Sequence, residues 1–344
     1  MAAILDRIDR FQQRHAWAGF GFAVYKKFGD DQAGNLAALI SYYAFFSIFP
    51  LLLALVTVLG YVLAGNPSLE HQVFSSALGS FPIIGQNNQL HPLTGNPFAL
   101  VVGVVLAIWS GLGVANQAQT AFNEVWNIPR TERPGFLPRI RRSGELVVVV
   151  GGGLILSTLV QGALSGSSIY GLNLGIGVVI LGGVVGVALD TGLLLLAFRR
   201  GTALELSWRS VLPGAVVGGV GIFVLQKVGT GLVNQRVSGA QSTYGTFAVV
   251  IGLLGWFFLL SQLTLYCAEI NVVAARRLWP RGLRTLTGVA TTDADRRAYL
   301  AYPQQERQVH NTEVQVTMTD PDQTRDPEPE AAADSERSAD TGAR

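Results

Sequence analysis

Residues Leu36 to Ala64 read LAALISYYAFFSIFPLLLALVTVLGYVLA, and no Asp, Glu, Lys or Arg interrupts them. A helix needs about 20 apolar residues to cross a bilayer. At ~1.5 Å per residue this stretch outruns the ~30 Å hydrocarbon core, so it must tilt, bend or extend into the interface. Pro50 lies in its middle. The proline ring removes a backbone donor and crowds the preceding turn, which predicts a kink. Lipid offers no water to the freed carbonyl, so such a break needs cover from protein or a wet cavity. Ser41, Tyr42, Tyr43 and Ser47 place hydroxyls on the turns before it. Two readings follow: a kinked helix whose hydroxyls are satisfied internally, or a broken helix lining a substrate path.

The composition fits a membrane protein. Hydrophobic residues make up 49% and charged residues 14%, against about 25% charged in an average soluble domain. Mean hydropathy is +0.36. The single cysteine, Cys267, sits in an apolar run, which excludes an intrachain disulfide. No secretory signal pattern is visible, and the run from Leu36 reads as an uncleaved first span.

Five further apolar runs follow, at about 98–114, 146–164, 174–198, 211–233 and 247–274. The second continues as a more polar helix towards Pro129. Basic residues alternate with these spans. Arg7, Arg10, Arg14, Lys26 and Lys27 precede the first, and Arg130, Arg133, Arg139, Arg141 and Arg142 follow the second. Arg199, Arg200 and Arg209 follow the fourth, and Arg276, Arg277, Arg281 and Arg284 follow the sixth. The loops 65–96 and 168–173 carry none, and 234–246 carries only Arg236. The positive-inside rule then places both termini in the cytoplasm, with Arg139, Arg141, Arg142, Arg199 and Arg200 as a cytoplasmic basic cluster.

The expected fold is therefore all-α: a polytopic bundle of six transmembrane helices over 35–280. Residues 1–34 form an amphipathic helix, on the membrane surface or on the protein's own cytoplasmic face. A short helix through Leu69, Val73, Ala77 and Phe81 is expected between the first two spans. The tail, 281–344, is rich in Pro, acids and Ala and is expected to be disordered and solvated.

The chemistry-bearing residues exclude several classes. His15, His71, His91 and His310 are scattered, and no HxH, HExxH or CxxC spacing occurs. No GK[ST] phosphate loop or credible GxSxG elbow is present. No cofactor or metal is expected, and the chain does not read as an enzyme. Asp190, Lys227 and Glu269 are ionisable residues within apolar spans, which makes them candidates by default. Asp190 precedes Arg199 by nine residues and Glu269 precedes Arg276 by seven. Both carboxyls thus lie about 10 Å inside the basic edge. They either share a cavity or pair with arginines such as Arg199, Arg200 or Arg209. Lys227, near the outer end of its span, can snorkel. Gly182-xxx-Gly186 and Gly214-xxx-Gly218 allow close helix approach, within the chain, in a homo-oligomer, or between sliding helices.

Four stretches read together resemble the YihY/BrkB family of bacterial inner-membrane proteins over about residues 20–280. They are SYYAFFSIFPLLL, WSGLGVANQAQTAFNEVWNIPR, AFRRGTALELSWRSVLPGAVVGG and STYGTFAVVIGLLGWFFLLSQLTLYCAEINVV. The matching positions are Tyr42, Tyr43, Ser47, Phe49, Pro50, Trp109, Ser110, Phe122, Asn123, Trp126, Pro213, Gly214, Tyr244, Gly245, Glu269 and Asn271. Cys267-Ala268 stand where many relatives carry a glycine before the glutamate. The resemblance implies six spans, residence in the bacterial inner membrane and a role in envelope integrity. Relatives often carry a ribonuclease label, which this chain does not support: its arginines form a topology signal rather than a nucleic-acid patch. Membrane lipids are the expected partners. Two functions follow: transport or flipping of a lipid or amphipathic molecule, and a non-transporting scaffold for envelope assembly. The candidate path or gating residues are Tyr42, Tyr43, Ser47, Pro50, Trp109, Ser110, Asn123, Asp190, Tyr244, Gly245, Glu269 and Asn271.

Overall fold

The structure, a computed structural model, describes residues 2–62, 97–166, 175–244, 246–283, 292–309, 312 and 314–316. Two short helices, α1 (Ala2–Arg14) and α2 (Ala16–Asp30), precede six long ones. These are α3 (Ala33–Val62), α4 (Pro97–Val125), α5 (Phe136–Gly166), α6 (Gly175–Gly201), α7 (Trp208–Tyr244) and α8 (Thr246–Arg276). A last helix, α9, covers Asp293–Gln305. All regular structure among the described residues is helical.

The ends of the long helices have local causes. α4 stops at Asn127, whose positive φ of 47° closes a Schellman cap. Asn127 N donates to Glu124 O at 2.8 Å and Ile128 N to Asn123 O at 3.0 Å. Arg277, at φ 52°, ends α8 in the same way, with Leu278 N donating to Val273 O at 3.1 Å. Thr292 caps α9, its side chain accepting from Asp295 N, and Asp293 and Asp295 suit the positive end of that helix.

Each long helix from α3 to α8 packs on the next, and α8 returns to α3, which closes the six into a ring. α4 also touches α6 and α8 across it. Small residues set the closest approaches. A Cβ on Gly214 would run into the Cys267 carbonyl, and one on Gly218 into Leu194. Gly219 meets Thr191, and Gly153 meets Leu193. Gly214 and Gly218 therefore serve packing within the chain.

Five helices are long and apolar enough to cross a membrane among the described residues: Ala33–Ala54, Val101–Val125, Ile180–Gly201, Trp208–Gly229 and Val250–Arg276. The expected span at 146–164 falls on α5, a helix of 31 residues. The large side chains exposed on this belt, such as Phe46, Phe49, Val105, Trp109, Val184, Val217 and Ile251, are apolar, as a lipid-facing surface requires.

Three expectations need correction. The amino-terminal segment is two helices rather than one, and of the two placements expected for it the buried Lys26 and Lys27 fit packing on the protein itself. Of the expected loop 234–246, residues through Tyr244 continue α7 as helix. The tail expected to be disordered from residue 281 contains α9, with Ala294, Asp295, Ala298 and Gln305 buried. Average composition hid α9, because the helix is held by polar contacts and not by large apolar side chains. The expected helix in 65–96 and the loop 168–173 lie outside the described residues.

Candidate functional site

Glu269 is fully buried on α8. Its partner is Lys27 of α2, at 3.3 Å, instead of an arginine from the loops. The same ammonium contacts Asp31 at 2.5 Å and donates to the Val125 carbonyl at 2.9 Å. Two turns on, Arg276 donates to the Trp126 carbonyl at 2.6 Å, its guanidinium 5.8 Å from the Trp126 ring centre. The last turn of a helix leaves carbonyls without intrahelical donors and carries partial negative charge. Lys27 and Arg276 supply both the donors and the opposite charge there. This junction joins α2, α4 and α8.

A second quartet adjoins it. Asp295 of α9 accepts from Lys26 Nζ at 3.0 Å, Arg281 Nε at 2.9 Å, Gly282 N at 2.8 Å and Thr292 Oγ1 at 2.7 Å. Arg281 also pairs with Asp30 at 2.8 Å. Burial pushes the Asp295 carboxyl up, but the hydrogen bonds from Gly282, Thr292, Lys26 and Arg281 outweigh it and hold it below its ordinary value. Burial pushes the Lys26 ammonium down against the opposing pull of Asp295. Burial likewise raises the Tyr302 phenol, which faces Asp31.

Asp190 lies elsewhere. On α6 the buried residues Gly186, Asp190, Leu194 and Phe198 recur every four positions and form one inward stripe. Ile180, Leu181 and Val184 form the exposed face. Asp190 is 8% exposed, and among the described residues its carboxyl has no hydrogen-bond or ion-pair partner. Asp190 and Glu269 therefore differ in surroundings despite similar depth, and neither pairs with Arg199, Arg200 or Arg209.

The remaining candidates separate into three groups. Tyr42 and Trp109 face outwards, Trp109 at 78% exposure. Tyr43 packs on Gly113 of α4. Ser47 and Ser110 bond back to Ala44 O at 2.8 Å and Ala107 O at 3.1 Å. α3 runs on as helix through Pro50. Asn123 and Asn271 hold backbone together. Asn123 Oδ1 accepts from Ala203 N at 2.8 Å, and Asn271 Oδ1 accepts from Gly214 N at 2.7 Å, just after Pro213. Tyr244 ends α7, and Gly245 lies outside the described residues.

Within the basic cluster, Arg200 and Arg141 bracket Glu145 at 3.2 and 3.5 Å. Arg199 donates to Leu206 O at 3.1 Å and covers Trp208, 4.2 Å from its ring centre. Arg142 reaches the Thr202 carbonyl, and the Arg139 carbonyl accepts from Gln119. Lys227 is exposed over Phe223. No group of His, Cys, Asp and Glu suited to a metal occurs among the described residues. Lys26, Lys27, Asp31, Arg281 and Asp295 were missed as site residues. The run KKFGDD carried a signal, since Lys26/Asp30 and Lys27/Asp31 stand four apart.

These features define a helical membrane protein of several spans. The model of the Virulence factor BrkB family matches residues 24–284, and the chain belongs to that family. A UPF0761 membrane protein of Psychrobacter is 24% identical over 78% of this chain and 51% of its own length. Its counterpart in Pseudomonas aeruginosa is 26% identical over 74% of this chain and 62% of its own length. A third, from Ralstonia nicotianae, is 27% identical over 71% and 56%. The matches thus take in between half and two thirds of those relatives' length. No solved structure matches.

Proposed function

We propose that this protein moves a lipid or another amphipathic molecule between leaflets or out of the cytoplasm, with Asp190 as the titrating residue of the path. In this reading it spans the bacterial inner membrane six times with both termini inside, and its activity serves envelope integrity. The observation that carries it is Asp190: a carboxyl inside an apolar ring, on the inward stripe of α6, with no hydrogen-bond or ion-pair partner among the described residues. An unpaired acid at such depth is costly, and intramembrane acids mark ion, proton or substrate pathways. Ionised, it would attract a cationic or amine-bearing headgroup. Protonated, it would donate a hydrogen bond and release that headgroup.

The test is flux in liposomes containing only this protein and headgroup-labelled phospholipid. Wild-type protein should exchange the label between leaflets faster than protein-free vesicles, and Asp190→Asn should lose most of that rate while folding normally. Equal rates for the two proteins, or no rate above the vesicles, would overturn the reading. The ion-paired end around Lys27 and Glu269 favours a second reading, a non-transporting scaffold for envelope assembly. There Asp190→Asn would be silent, and disrupting Lys27 would remove function only in step with stability.

A further inference from the structure

α9 rejoins the protein beside the buried charges, and its attachment is unusual in kind. Among its described side chains the buried apolar ones are only Ala294 and Ala298, and Leu300 is 42% exposed. The attachment is polar. Asp295 receives four donors. Asn127 Nδ2 donates to Gln305 Oε1 at 2.7 Å, and Arg297 donates to the Arg277 carbonyl at 2.8 Å. Segments with little apolar burial open more readily than a core does.

What α9 grips gives this a consequence. Lys26 and Lys27 are consecutive residues of α2. Lys26 reaches up to Asp295 of α9, and Lys27 reaches down to Glu269 of α8. Tyr302 of α9 lies over Lys27, its ring centre 6.0 Å from Nζ. One turn of α2 thus ties α9 to a long apolar helix. We propose that α9 is a releasable strap. Engaged, it seals the Lys27–Glu269 pair and the end of α4. Released, it lets water reach that pair and loosens the end of α2 with it. Asp295 is the keystone, because its loss removes a partner from Lys26 and from Arg281 together. Lys26 would keep the Gly282 carbonyl, at 3.0 Å, and the Tyr299 ring, and Arg281 would keep Asp30 and the same ring.

Amide hydrogen exchange on the full chain in phospholipid nanodiscs tests this, and its outcome is independent of whether the protein transports anything. In wild type, residues 26–32 and 292–305 should exchange in step, faster than α8. Asp295→Asn should speed both segments at least about tenfold and leave α6 and α7 unchanged. Thr292→Ala, which strips one donor and the cap, should do the same more weakly and serves if Asp295→Asn fails to fold. With cysteines at 127 and 305 in a Cys267→Ser background, a short bis-thiosulfonate bridge should slow exchange at 26–32. Faster exchange at 292–305 alone, or uniformly around the ring in both variants, would overturn the strap.

Discussion

Glu269 on α8 and Asp190 on α6 both stand within ten residues of the basic end of an apolar helix, yet their surroundings are opposite. Glu269 meets Lys27, with Asp31, Arg276 and the end of α4 close by. Asp190 meets an apolar stripe and no counter-charge among the described residues. A buried charge with a partner holds elements together, and removing one partner strands the other. A buried acid without a partner stabilises nothing by itself. The comparison divides the molecule into a polar end that fastens helices and a ring interior that holds the Asp190 carboxyl.

The largest expected effect lies at the fastened end. Lys27→Met leaves Glu269 and Asp31 without their shared cation and should cost roughly 3–5 kcal/mol, seen as a lowered thermal midpoint in detergent. Glu269→Gln should cost less, because Lys27 keeps Asp31 and the Val125 carbonyl. Equal losses would show that Glu269, and not Lys27, centres the junction.

Next comes the packing between the two regions. Gly214→Ala forces a methyl against the Cys267 carbonyl and the Asn271 amide. Overpacking of this kind costs about 1–3 kcal/mol, and the same unfolding measurement reads it. Gly186→Ala, where a Cβ would meet nothing within 4 Å, should be close to neutral.

A smaller effect is pH-dependent. The Asp295 carboxyl is held below its ordinary value in the folded protein. Its contribution is complete above the unfolded carboxyl value, about pH 4, and is lost as pH falls through the lower folded value. Exchange at 292–305 should therefore be unaffected by this group between pH 7 and 5 and rise only in stronger acid. A rise near pH 6 would assign the latch to another group.

Much of this was legible in the chain, and the failures have physical causes. The long apolar runs follow from composition, which is local, and the expected ends towards Pro129 and near residue 274 fall within a few residues of the stops at Asn127 and Arg277. The partner of Glu269 was not legible, since Lys27 is brought to it by the packing of α2 on α8. The hydroxyls before Pro50 could not all face one path, because successive helical residues point about 100° apart. Hence Tyr43 packs on α4 while Tyr42 faces outwards. α9 had a local signal in Thr292 followed by Asp293 and Asp295, a capped acidic first turn, which the solvated character of the surrounding tail masked.

The division between fastening and working acids is tested most directly by one paired measurement on Asp190→Asn and Glu269→Gln. Each variant is taken through thermal unfolding in detergent and lipid flux in liposomes. The account predicts that Asp190→Asn keeps the thermal midpoint of wild type, since it breaks no hydrogen bond or ion pair among the described residues, and loses flux. Glu269→Gln should lose stability and keep the flux of whatever fraction stays folded. The reverse assignment, a stable Glu269→Gln without flux beside a fully active Asp190→Asn, would contradict it.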